Sequence, residues 1–161
     1  MVDVRRLRRA VNGARTFTVP VDAVATALAE IDRAMQSAHF RAATPTTAAG
    51  ATRTYRRGSV VGDVLIGGSG LSTLTTRLGP LSARGVVVVW VGEHVPGTTR
   101  VIVSLVDGSH VGGDFVDAVD DAVRGLIARG VPVSDDVWSR AVDVDPALPA
   151  HPRRATELGL R

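Results

Sequence analysis

The sequence predicts an α+β fold: a curved antiparallel sheet with an N-terminal strand–helix unit and a long C-terminal helix packed on one face. Three observations carry this. Residues 86–91 and 99–106 are two runs of β-branched residues, and "GEHVPG" between them has the chemistry of a hairpin turn. Val24, Leu28, Ile31 and Met35 recur at spacings of four, three and four, which is one stripe of a helix. Phe115, Val119, Val123 and Leu126 form a second such stripe. A half-apolar sheet and two amphipathic helices bury their apolar sides against one another.

The elements follow in chain order. Residues 1–15 read as an arginine-rich arm, with Val4, Leu7 and Val11 at helical spacing and Asn12-Gly13 as a stop. "RTFTVPV" alternates Phe17, Val19 and Val21 on one face, and Pro20 confines this strand to an edge or marks its end. Asp22 is placed to cap the helix that follows. "HFRAATPTTAAGATRTYRRGS" reads as strand, loop and strand, with the loop from Thr44 to Ala51. "SVVGDVLIGG" is a further strand candidate, interrupted by Gly62. In the hairpin, Val101, Val103 and Leu105 share one face, and Ile102 and Val106 the other.

Asp114 is a fitting cap for the second helix, Val116 and Ile127 widen its stripe, and Arg129-Gly130 end it. Asp117, Asp120 and Asp121 suit its N-terminal half, where the helix dipole favours anions. "VPVSDDVWSRAV" adds a short turn capped by Ser134. Residues 143–161 hold three prolines and few large apolar residues, which predicts a tail that is loosely packed or disordered unless a partner orders it. The organisation is an arm (1–15), one α+β domain (16–142) and a proline-containing tail (143–161).

Composition excludes several chemistries. The chain of 161 residues has no cysteine, so disulfides, thiolate metal sites and a cysteine nucleophile are ruled out. Every one of its 19 basic residues is arginine, which also removes a lysine Schiff base and a P-loop lysine. Charge is unevenly spread. Residues 1–60 carry ten Arg against four acids, and residues 111–161 carry six Arg against nine acids. No apolar run approaches the roughly 18 residues of a membrane helix, and no secretory h-region follows the basic N-terminus. The expectation is a soluble, cytoplasmic protein.

The stretch "VLIGGSGLSTLTTRLG", residues 64–79, invites a phosphate-loop reading that its details do not support. A P-loop requires Gly-Lys-Ser/Thr, and no lysine follows. A dinucleotide loop requires a third glycine where Thr73 stands, and an esterase elbow requires glycine where Leu71 stands. The stretch reads as a strand–loop–strand connection. Glu93 and His94 fall in the hairpin turn, and His110 and Asp114 straddle a Gly-Gly break, so no metal or acid–base pair is assigned to them. No catalytic residue, metal ligand or cofactor motif is assigned from the sequence.

One constellation stands above background. Arg5, Arg6, Arg8, Arg9 and Arg15, with Arg53, Arg56 and Arg57, form a basic cluster suited to an anionic partner, because guanidinium forks match phosphates and carboxylates. Tyr55 lies among them and is able to stack on a base.

"FTVPVDAVATAL" resembles the opening of START-like proteins, the superfamily of polyketide cyclases and hydrophobic-ligand carriers. "PGTTRVIVSLVDG" followed by "DFVDAVDDAVRGLIARG" resembles their last strand and C-terminal helix. The resemblance covers residues 16–130 and is one of element order. It implies a helix-grip arrangement and, if the long helix stands off the sheet, an apolar cavity. One longer helix replaces the two short ones usual after the first strand. The residues favour a non-enzymatic binding or assembly domain acting through protein–protein contacts, including self-association. The alternatives are a carrier or cyclase for an apolar small molecule, and nucleic-acid binding through the N-terminal arginines.

Overall fold

The valine-rich hairpin forms the middle of a six-stranded antiparallel sheet. In the computed structural model, which describes residues 12–43, 51–58 and 84–160, the strands are β1 (Gly13–Pro20), β2 (Arg41–Ala42), β3 (Ala51–Arg57), β4 (Gly85–Val95), β5 (Thr98–Asp107) and β6 (Ser134–Arg140). Their order across the open sheet is β2-β3-β4-β5-β1-β6. Residues 1–11 of the arm, the glycine-rich stretch at 64–79 and the strand candidate "SVVGDVLIGG" lie outside the described residues. β1 starts at Gly13, so Arg15 belongs to the sheet rather than to the arm.

Two helices, α1 (Val24–Ser37) and α2 (Gly112–Ala128), pack on one face of the sheet and on each other. Their stripes meet Phe17, Val19, Tyr55, Val87, Val89, Val101, Val103 and Leu105 in one core. The alternation read from the hairpin holds: Ile102 and Val106 lie on the opposite face, in separate clusters. The fold is therefore α+β, with helices on an open antiparallel sheet.

Several local expectations are corrected. Asp22 does not cap α1; it lies in a single turn of 3-10 helix, Val21–Ala23, and the Val24 N–H bonds back to the Val21 carbonyl. α2 starts at Gly112, before Asp114, whose carboxylate is instead drawn to the buried Arg57 guanidinium at 2.6 Å. Ile127 is 59% exposed, because it is one residue past Leu126 and so turned about 100° from the stripe. His39 does not begin a strand: it ends α1 in a left-handed conformation at φ 64°. Residues 134–140 form an edge strand on β1 rather than a capped turn.

The C-terminal segment is the largest correction. After a 3-10 turn at Ala141–Asp143 it crosses the second face of the sheet and ends in α3 (Pro152–Glu157). Val144, Ala150, Ala155 and Leu160 are buried there against Ala14, Val86, Val88, Ile102 and Val106. The outer face of the central strands is apolar, so small apolar residues held by proline-rich chain suffice to cover it. The result is three layers: helices, sheet and C-terminal segment.

Candidate functional site: arginines sorted by the sheet

The sheet divides the arginines into two groups. Those facing the helices are neutralised inside the fold. Arg15, 8% exposed, holds Asp136 with two hydrogen bonds of 2.6 Å and Asp120 with one of 2.5 Å. Its guanidinium lies 5.3 Å from the centre of the Trp138 ring, which meets Phe115 edge-on. β1, α2 and β6 are thereby tied at one point. Arg57, 3% exposed, pairs with Asp114 and lies 5.8 Å from the Phe40 ring. Arg53 and the Tyr55 hydroxyl both donate to Asp32. Burial, then the neighbouring Asp32 carboxylate, push the Tyr55 phenol above its ordinary pKa. Tyr55 is enclosed, so it is not the stacking ring that the sequence suggested.

The helices are cross-linked in the same manner. Glu30 is buried on α1 and accepts from Arg33 at 3.0 Å and from Arg129 at 2.6 Å. The Arg33 hydrogen bond, opposed by burial and aided by Arg129, holds the Glu30 carboxyl below its ordinary range. Gly125 makes room for it, since a Cβ there would lie 2.5 Å from Glu30 Oε2. Beside these pairs an open cleft of about 380 Å³ lies between the end of α1 and the start of α2, lined by His39, Arg57, Asp114, Asp117 and Asp121 over three alanines. Its charges are largely matched: Asp114 by Arg57 and Asp121 by Arg33 and Arg124.

The outer face differs. Arg56 on β3 stands directly opposite Arg41 on β2, and both are exposed. Arg100 on β5 stands opposite Gly92 on β4, and its guanidinium contacts the His94 ring at 2.6 Å. Among the described residues none of these three has a carboxylate partner, whereas the other ten described arginines do. The row Arg41–Arg56–Val86 ends across β5 at Asp107, which pairs with Arg84 at 3.6 Å, and the row of Arg100 and Gly92 holds no acid. Residues outside the described set contain only two carboxylates, Asp3 and Asp63, against six arginines. Like charges directly opposite across a strand pair repel. The Arg41–Arg56 pairing is therefore a local cost that an anion would relieve.

Of the basic cluster read from sequence, Arg15, Arg53 and Arg57 are thus engaged internally, Arg56 is on the outer face, and Arg5, Arg6, Arg8 and Arg9 lie outside the described residues. Arg41 and Arg100 were missed. The signal was available in the alternation: Arg56 and Tyr55 are neighbours on a strand and so face opposite ways. Among the described residues there is no cluster of three His, Asp or Glu suited to a metal, and no helix long and apolar enough to cross a membrane. No family model, curated protein or solved structure matches this chain.

Proposed function

We propose that the chain is a non-enzymatic, cytoplasmic binding domain that docks an anionic macromolecule through the arginines on the outer side of its sheet that flank the C-terminal segment. The observation that carries this is the trio of Arg41 and Arg56, both exposed, and the half-buried Arg100, which have no carboxylate partners among the described residues. Arginine is weakly hydrated and forks onto phosphate or carboxylate, so such a face gains from an anion what it lacks internally. Retention on a polyanionic matrix tests it. Joint replacement of the trio by glutamine should shift elution to clearly lower salt without altering the melting temperature. Unchanged elution would refute the reading.

Two observations bear on the rival functions. A START-like carrier requires an apolar chamber beneath α2, and Phe17, Phe40, Ile31, Met35, Leu105 and Phe115 fill that space, each less than 2% exposed. This favours surface binding over an interior cargo. Protein–protein assembly has its own support at the β6 edge, where Val137 and Val142 are 54% and 58% exposed. Sedimentation of a Val137→Glu protein tests it: a dimer converted to monomer supports edge pairing, and an unchanged state opposes it.

A further inference from the structure

We infer that a second copy of this chain pairs antiparallel with the β6 edge, about a two-fold axis that passes through Trp138. This rests on the β6-edge assembly reading above and is independent of the anion-binding one. β6 is the last strand of the open sheet, and among the described residues no strand pairs with its outer side. Both ends of its regular stretch are fixed. Asp135, in the left-handed region at φ 50°, stands where the register with β1 shifts. The 3-10 turn from Ala141 to Asp143 carries the chain off the edge. Residues 136–140 run straight between them, and Trp138 is their midpoint. Antiparallel pairing of that whole stretch with itself sets Trp138 opposite Trp138 of the second copy.

Two further features fit this register. The first is the free backbone. Ala141 donates to the Asn12 carbonyl and so faces β1. Bonded residues alternate along an antiparallel ladder, so Ser139 and Val137 face β1 as well, and the N–H and C=O groups of Asp136, Trp138 and Arg140 point away from the sheet. These are the groups that meet when Trp138 is on the axis: Trp138 bonds to its copy, and Asp136 to Arg140 at either end. Each such pair exchanges two hydrogen bonds, about six in all. The Arg140 N–H gives up only a 3.4 Å contact with Asp143. The second feature is charge. The stretch begins with an acid and ends with a base, so self-pairing sets Asp136 opposite Arg140 twice, which stabilises the pair. Arg140 spends two of its roughly five guanidinium N–H groups on Asp143, and Asp136 accepts two hydrogen bonds from Arg15 of the about four a carboxylate takes. Both therefore have capacity for the second copy. A register centred on Val137 sets Asp136 opposite Trp138 instead and gives Arg140 no acid across the strand. At the axis the Trp138 ring, held by Arg15 and Phe115 and half-buried, gains its own copy as a cross-strand aromatic neighbour.

The chain has no cysteine, so introduced ones report the register without background. In this register position 137 of one copy stands opposite position 139 of the other as a non-bonded pair, with Cα atoms about 4.5 Å apart and within reach of a disulfide. Like positions are diagonal neighbours, about 7–8 Å apart. Mild oxidation of an equimolar mixture of Val137→Cys and Ser139→Cys proteins should give the mixed disulfide in excess of the statistical half, as read by peptide mass spectrometry. A statistical mixture, or an excess of the disulfide between two 137 positions, overturns the inference and leaves edge pairing standing. Sedimentation of the unaltered chain over a concentration series should show a monomer–dimer equilibrium. Arg140→Glu, at an exposed position, should weaken the dimer at least about ten-fold with the melting temperature of the monomer unchanged, because two attractive pairs become repulsive. An Arg140→Glu protein that dimerises as well as the unaltered chain also overturns the register. A chain that is monomeric at every concentration overturns both this inference and the edge-pairing reading, and leaves the anion-binding reading untouched.

Discussion

Replacing Arg15 with methionine removes the guanidinium that joins β1, α2 and β6 while keeping most of its length. Three charge-assisted hydrogen bonds disappear, two to Asp136 and one to Asp120. Breaking a fully buried pair costs about 3–5 kcal/mol, because the surviving charge is stranded. Here the survivors are the side chains of Asp120 and Asp136, 33% and 32% exposed, and water can reach both. The cost should therefore fall to about 2–3 kcal/mol, with part of it from the missing stacking on Trp138. For a chain of 161 residues that is a drop of about 6–10 °C in melting temperature. Urea denaturation followed by circular dichroism measures it directly. Because β6 is held to the sheet through β1 alone, Trp138 fluorescence should report the same transition. A double-mutant cycle with Asp136→Asn should give a coupling of at least about 1 kcal/mol. A loss below about 0.5 kcal/mol, or additive single effects, would refute the assignment of Arg15 as a structural tie.

Further outcomes follow from the other buried charges and the three layers. The Glu30 carboxyl is held low in the folded state, so its contribution is complete above the unfolded pKa near about 4.3 and is lost as pH falls through the lower folded value. The stability difference between the unaltered protein and Glu30→Gln should be constant above about pH 5 and shrink toward pH 3; a difference independent of pH contradicts this. Gly125→Ala should destabilise by about 1 kcal/mol, the crowding of Glu30 exceeding the gain in helix propensity, and a net stabilisation would show that the close approach is not binding on the fold. Removing residues 146–160 should expose Val86, Val88, Ile102 and Val106, lower the melting temperature and raise binding of an apolar dye. A truncated protein that melts like the full chain would mean the segment is not part of the core.

Periodicity made the helix-facing half of this molecule legible. The stripes of α1 and α2 and the alternation of β5 are strong repeats, and each predicts a face that the sheet then buries. What escaped was set by pairing between distant residues. Asp114 looks like a cap until Arg57, 57 residues away, claims its carboxylate. β6 has weak strand character, but Asp136 and Trp138 both contact Arg15 on β1, 121 positions from Asp136 in sequence. The C-terminal segment is proline-rich and poor in large apolar groups, yet the uncovered face of the sheet requires no more than alanine, valine and leucine. The same limit applied to function. A cluster of arginines close in sequence was separated by strand alternation into Arg53 and Arg57 on one side and Arg56 on the other.

That separation is also the most direct point of test. Binding of a polyanion should be measured as a function of salt for single Arg→Gln proteins at Arg41, Arg56 and Arg100, and at the ion-paired, exposed Arg33 and Arg153. For a single strand the slope of log affinity against log salt changes by about 0.7 for each phosphate that is no longer neutralised. Each of the first three replacements should flatten the slope by about that amount, and neither of the last two should change it. Equal effects at all five positions would mean that the protein binds anions by net charge alone, and that Arg41, Arg56 and Arg100 have no special part in it.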